Sequence, residues 1–135
     1  MERITEILAR KQPHFKQISP ACSVEDALCR MSCQKTDYLI VMDDDNNFLG
    51  LITEHDIARK RIFEKEPFAK AEVREIMKTN YPLADSTDTL EECLTVMRRF
   101  HIRYLPIFND LNFMDVLSSD DVLEEVLRNR ANIFD

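Results

Sequence analysis

Ser23-Val24-Glu25-Asp26-Ala27-Leu28-Cys29-Arg30-Met31 returns 66 residues later as Thr89-Leu90-Glu91-Glu92-Cys93-Leu94-Thr95-Val96-Met97. Each stretch opens with a hydroxyl residue and acids. Apolar side chains follow at i, i+3, i+4 and i+7: Val24, Ala27, Leu28 and Met31, then Leu90, Cys93, Leu94 and Met97. That spacing makes one apolar face of a helix. Ser23 with Asp26, and Thr89 with Glu92, have the pattern of N-terminal caps. The match continues outward, with Tyr38-Leu39-Ile40-Val41-Met42 over Tyr104-Leu105-Pro106-Ile107-Phe108. After a one-residue deletion, Asn47-Phe48-Leu49 lies over Asn112-Phe113-Met114, and Thr53-Glu54-His55-Asp56-Ile57 over Ser118-Ser119-Asp120-Asp121-Val122. A repeat of this length outranks any single motif as a guide to architecture. It predicts an α/β fold built from two copies of one small unit, related by approximate two-fold symmetry, with a ligand held between them.

Each copy reads as strand, helix, strand, strand, helix. A short extended piece surrounds Ile18 in the first copy and Ala84 in the second. Strands are expected at Tyr38–Met42 and Phe48–Thr53 around the polar turn 43–47, and at 103–108 and 112–117 around Asn109-Asp110. Ile4, Ile7 and Leu8 form an N-terminal amphipathic helix that stops before Pro13. The charged stretch 59–72, broken by Pro67, is the expected link, which divides the chain into 1–66 with the N-terminal helix and 67–135. A lone three-stranded unit buries too little apolar surface, so the copies are expected to pack sheet against sheet.

The chain has 135 residues, 44% apolar and 32% charged, with a net charge of −7. The acidic balance argues against a duplex nucleic-acid partner, which needs a basic surface. No apolar run approaches the ~20 residues that span a bilayer, and the charged start at Glu2 and Arg3 is unlike a secretory leader, so a cytoplasmic protein without a membrane partner is expected. Cys93 falls in an apolar stripe and reads as core. Cys29 and Cys33 sit at i, i+4, but nothing nearby completes four ligands, so reduced thiols are expected and no metal site.

Chemistry concentrates where a strand meets a helix. Gly50-Leu51-Ile52-Thr53-Glu54-His55-Asp56 and Asp115-Val116-Leu117-Ser118-Ser119-Asp120-Asp121 each offer a hydroxyl and, three residues on, a carboxylate. Helix N-termini attract phosphate, and an ionised carboxylate can accept both hydroxyls of a ribose. The competing reading is a capping box that binds nothing. Recurrence at matching points of both copies favours the ligand. Asp43, Asp45, Asn47 and Glu54 also fit calcium-loop spacing, but Phe48 occupies the glycine position, and a hairpin turn is expected instead. His14, His55 and His101 are scattered, and His101 reads as a surface residue near Arg103. Phe63, Phe68 and Phe134 lie outside the repeats and suit a dimer contact or core filling. No Ser, Cys or Thr has a sequence-local base and orienting partner, so no catalytic residue is expected.

Order, spacing and duplication together resemble a tandem of cystathionine-β-synthase (CBS) domains. The residues that carry the likeness are 23–31, Tyr38–Met42 and 50–56 in the first copy. In the second they are Val73-Arg74-Glu75-Ile76-Met77, 89–97, 101–108 and 115–121. The resemblance implies a stand-alone regulatory module and not an enzyme, requiring no cofactor. It would sense AMP, ADP or ATP, or alternatively S-adenosylmethionine or NAD, and signal as a homodimer to an effector protein. By that likeness Asp56 and Asp121 hold ribose hydroxyls, and Thr53 and Ser118 lie near phosphate. Ile18 and Ala84 border the base, and Leu51 and Val116 supply apolar walls. The favoured site uses Arg103, Tyr104, Ser118 and Asp121, because an Arg guanidinium suits phosphate and the first copy has Asp37 at the matching point. Against it, Asp115 stands where the first copy keeps Gly50. The alternatives are a scaffold or dimerisation module with degenerate clefts and, second, an enzyme using the same cleft for chemistry on a nucleotide.

Overall fold

A computed structural model of the chain describes residues 4–10, 16–63 and 70–134. The elements run α1 (Ile4–Arg10), β1 (Gln17–Ile18), α2 (Val24–Gln34), β2 (Tyr38–Met42), β3 (Phe48–Thr53), α3 (Glu54–Phe63), β4 (Ala84–Asp85), α4 (Leu90–Phe100), β5 (Tyr104–Asn109), β6 (Asn112–Ser118) and α5 (Ser119–Phe134), with a short 3-10 turn at Val73–Glu75. Two mixed three-stranded sheets result, β1-β2-β3 and β4-β5-β6. In each, a short parallel strand precedes an antiparallel hairpin. The strand-helix-strand-strand-helix order thus occurs twice, as the sequence predicts. Even the irregularities repeat: the hairpins slip register between Val41 and Met42 and, at the matching place, between Ile107 and Phe108.

Both first helices are built alike. Ser23 caps α2 by accepting the Asp26 N–H, and Thr89 caps α4 by accepting that of Glu92. Val24, Ala27 and Met31 are buried on α2, and Cys93 and Met97 on α4. Each helix ends on a left-handed residue, Lys35 at φ 53° and His101 at φ 54°. The following N–H groups, of Thr36 and Ile102, bond back to the carbonyls of Met31 and Met97, which is a Schellman closure. Glycine normally fills that position, but the single glycine of the chain is Gly50. His101 is therefore an exposed helix cap.

The described residues form two compact units, 16–63 with 70–80, and 4–10 with 81–134. By contact, each unit takes in a segment from the other repeat's side of the chain. Helix α1 packs with the second repeat, because Ile4, Ile7 and Leu8 need a partner surface and join a cluster with Ala84, Cys93, Leu105 and Leu117. The segment after the link packs with the first repeat, where Val73 and Ile76 join Ile18, Val24 and Ile52. Backbone bonds fasten it there, Val24 N–H to the Ala71 carbonyl and Val73 N–H to that of Cys22, both 2.8 Å. The expected link at 59–72 begins later than the sequence suggests, since α3 runs on to Phe63. Its Ala, Arg and Lys are good helix formers, and Lys60 and Arg61 in the last turn suit the negative end of the helix.

The acidic turn between β2 and β3 is self-contained. Asp43 accepts the N–H groups of Asp45 and Asn47 and the Asn47 side-chain amide, so the calcium-like spacing belongs to a hairpin turn. Those bonds, from Asn47 above all, hold the Asp43 carboxyl below its ordinary value. Cys29 and Cys33 are exposed on α2, whereas Cys93 is buried. Burial, with Asp88 and Glu92 adding to it, pushes the Cys93 thiol up to about 12. No helix among the described residues is long and apolar enough to cross a membrane. His14 and Phe68 lie outside the described residues, as do the side chains of Phe63 and Phe134.

Candidate functional site

The two strand-to-helix corners place most of the candidate side chains. At the first, Thr53 ends β3 and is 4% exposed. Its hydroxyl accepts the Asp56 N–H at 3.0 Å, and the Glu54 N–H reaches the Asp37 carbonyl at 2.8 Å. At the second, the Ser118 hydroxyl accepts the Asp121 N–H at 3.1 Å, and the Ser119 N–H reaches the Arg103 carbonyl at 2.8 Å. Both hydroxyls therefore serve as N-caps, of α3 and α5 respectively.

The carboxylates differ. Asp121 reaches back and accepts the Ser118 N–H at 2.9 Å, which closes a reciprocal capping box. Asp56 does not return to Thr53, and its carboxylate lies 3.8 Å from His55 Nδ1. Asp121 thus commits one oxygen to its own helix, and Asp56 makes no such bond among the described residues.

The surroundings differ more. Asp56, Arg59 and Lys60 of α3, with 76–80 of the following segment, border an open groove of about 590 Å³. That segment is an added edge on β3, since the Leu51 N–H donates to the Lys78 carbonyl at 3.0 Å and the Lys78 N–H to that of Leu51 at 2.9 Å. Gly50 permits this approach, because a Cβ there would collide with the Lys78 carbonyl oxygen. The close neighbour of Gly50 is thus the chain itself. Ile76, Met77, Lys78, Thr79 and Asn80 line the groove, and Lys60 Nζ donates to the Glu75 carbonyl at 3.2 Å.

Asp121 faces a cavity of only about 60 Å³, bordered by Glu124, Glu125 and Arg128 of α5 and by Ile7 and Arg10 of α1. Glu125 is 5% exposed, and Arg10 Nη1 lies 2.9 Å from each of its carboxylate oxygens. After the one-residue deletion, Glu124 and Glu125 stand at the positions of Arg59 and Lys60. The two corners share a scaffold and have opposite charge.

The structure brings Arg103, Tyr104, Ser118 and Asp121 together where β5, β6 and α5 meet. Tyr104 pairs with Ser118 across the sheet, and Arg103 is exposed with no side-chain bond or ion pair among the described residues. Thr53 and Asp56 share the first corner, with Leu51 two residues before Thr53 on the same sheet face. Leu51 and Val116 are fully buried at matching places. Ile18 and Ala84 sit inside the two apolar clusters, which leaves only their backbone for a ligand. Arg59, Lys60, Lys78, Thr79 and Asn80 were not foreseen. Arg59 and Lys60 follow Asp56 at i+3 and i+4, a legible signal of one helical face. Lys78 has no such local signature.

A family model for the CBS domain matches residues 5–62 and again 73–128. Among solved structures, the CBS domain NE2398 is 28% identical, with a TM-score of 0.85 over 94% of this chain and 99% of that one. A conserved protein of Pyrococcus horikoshii is 28% identical, with a TM-score of 0.77 over 84% and 86%. CBSX2, solved in complex with AMP, is 20% identical with a TM-score of 0.71 over 92% and 97%.

Proposed function

We propose that this chain, which belongs to the CBS-domain family as a tandem pair, is a regulatory and non-catalytic module that binds an adenosine-type nucleotide beside Asp56 and signals to an effector protein. The observation that carries the reading is the groove of about 590 Å³ bordered by Asp56, whose carboxylate makes no bond back to its own helix, together with Arg59, Lys60 and Lys78. Asp56 is acceptor-only when ionised and suits the two ribose hydroxyls. The cations and the N-terminus of α3 suit the phosphates. AMP, ADP and ATP are the candidate ligands, with S-adenosylmethionine and NAD as alternatives. The AMP complex of CBSX2 supports the adenosine class at the level of the fold.

This reverses the preference drawn from sequence for Arg103, Tyr104, Ser118 and Asp121. Arg103 supports a second site at that corner. The small cavity, the capping box and the two added glutamates oppose it. That corner favours the scaffold reading, with a decayed second site. Exposed Leu123, Val126 and Leu127 on α5 support assembly with a second copy. Ligand would act by population shift, favouring one arrangement only by its differential affinity for it.

A thermal-shift screen with AMP, ADP, ATP, NAD, S-adenosylmethionine and adenosine tests the reading. Ligand at about 100 times its Kd stabilises the fold by about 2.7 kcal/mol. A shift lost in Asp56→Ala and kept in Asp121→Ala is the expected result. A shift lost only in Asp121→Ala returns the site to the second corner, and no shift with any ligand leaves the scaffold.

A further inference from the structure

We infer that Cys29 and Cys33 of α2 form a two-coordinate site for a soft monovalent metal ion, copper(I), an inference independent of the nucleotide reading above. Free cysteine is among the most buried residue types, yet two of the four in this chain are exposed and lie on adjacent turns of one helix. Side chains at i and i+4 are neighbours on a helix, with Cβ atoms about 5–6 Å apart. The repeated scaffold does not ask for them, since the matching positions of α4 are Thr95 and Arg99. There the Thr95 hydroxyl donates to the Glu91 carbonyl at 2.9 Å, and the Arg99 guanidinium lies over the Phe100 ring.

Geometry sets the pair apart from a disulfide. A disulfide holds its Cβ atoms about 3.5–4.5 Å apart, so closing one here would draw the last turns of α2 together by about 1 Å. That helix is fixed at both ends and along its inner face. Ser23 caps its start, the Thr36 N–H bonds to the Met31 carbonyl at 2.9 Å, and Val24, Ala27 and Met31 are buried. One ion between the sulfurs needs no such movement. With metal–thiolate bonds of about 2.3 Å, as for zinc, the sulfurs lie up to about 4.6 Å apart, which side chains at i and i+4 reach. The donor set chooses the ion. Structural zinc and iron–sulfur clusters take four ligands, and no group of three or more His, Cys, Asp or Glu among the described residues could hold a metal. Of the metals that thiolates select, copper(I) remains, and a filled-shell monovalent ion is satisfied by two thiolates in a line. Binding displaces both thiol protons, so the ion and two thiols yield a singly negative bis-thiolate complex and two released protons.

Anaerobic titration of the reduced full chain with copper(I), in competition with the chelator bathocuproine disulfonate, tests this. A single copper(I) should bind per chain, with the ultraviolet charge-transfer band of a copper thiolate. Cys29→Ser and Cys33→Ser should each weaken it by more than the roughly 100-fold that loss of a supporting group costs at a metal site. Cys22→Ser should leave it unchanged. Retention of copper(I) when Cys29→Ser and Cys33→Ser are combined overturns the site, as does equal loss in Cys22→Ser. One ion for every two chains overturns the intrahelical pair in favour of thiols shared between copies. Equal affinity for zinc overturns the choice of copper(I). Oxidised glutathione should leave no disulfide between Cys29 and Cys33 in peptide mass spectrometry. Such a disulfide, formed with helix content unchanged in circular dichroism, overturns the geometric argument.

Discussion

Residues 53–60 and 118–125 form the same turn twice, each with a hydroxyl that caps the N–H three residues on. In the first, the turn opens on a groove with Arg59 and Lys60. In the second, Glu124 and Glu125 border a small cavity where Glu125 is bonded to Arg10, and Asp121 bonds back to its own helix. The shared parts are those the fold needs, namely the cap, the strand end and the helix start. The divergent parts are solvent-side or long-range. A duplicated motif can therefore retain its structural role in both copies while only one retains free chemistry, and a motif alone does not say which.

The comparison is open to attack, most strongly at Gly50. Gly50→Ala should cost the fold about 2–3 kcal/mol, because the methyl meets a backbone carbonyl that cannot swing aside. Asp115→Ala, at the matching position, loses the bond that its carboxylate accepts from the Val116 N–H and should cost about 1 kcal/mol. Equal losses in urea denaturation would show that Lys78 does not depend on the bare backbone at Gly50. Next comes the clasp of α1. Glu125→Ala should cost about 2 kcal/mol, less than a fully buried pair because Arg10 is partly exposed. Lys60→Ala should stay within about 0.5 kcal/mol. The same assay decides, and a costly Lys60→Ala would mean that the first corner too is mainly structural.

The caps sharpen the contrast at smaller scale. Ser118→Ala and Thr53→Ala should each cost about 1 kcal/mol. Asp121→Ala should add a further loss of stability through the Ser118 N–H, whereas Asp56→Ala should leave stability nearly unchanged and abolish nucleotide binding. Calorimetric Tm values for the four variants separate cap from ligand residue. The smallest effect should be symmetric. Lys35→Gly and His101→Gly relieve the same left-handed strain and should each stabilise by about 0.5 kcal/mol. Unequal gains would show that one of these side chains has acquired a contact worth keeping.

What the sequence reveals follows the range of the forces involved. Stripes such as Val24, Ala27 and Met31 are periodic over one helix, and caps such as Ser23 and Thr89 act within three residues, so elements and their duplication are legible. Long-range partners are not. Nothing near Ile4, Ile7 and Leu8 says that they pack with Cys93 and Leu117. Nothing around Lys78 says that it pairs with Leu51. Gly50 signals a close approach, yet whether to a ligand or to the chain is decided by residues 28 positions away. The weighing of capping box against ligand site divides in the same way. The Ser118 bond is local, but whether a carboxylate is left available depends on the neighbours that the fold brings to it.

The make-up of the two units along the chain bears on how the protein is made. The described residues of the first unit, 16–63 and 70–80, follow one another along the chain and hold their own core. It can fold once those residues have left the ribosome, in keeping with the N-terminal-first order of synthesis. The second unit is discontinuous, and must recover α1 from the opposite end of the chain before Glu125 finds Arg10. During translation, then, α1 waits for its partner until α5 has been made. A permuted gene that moved α1 to follow α5 would make both units continuous and remove that wait.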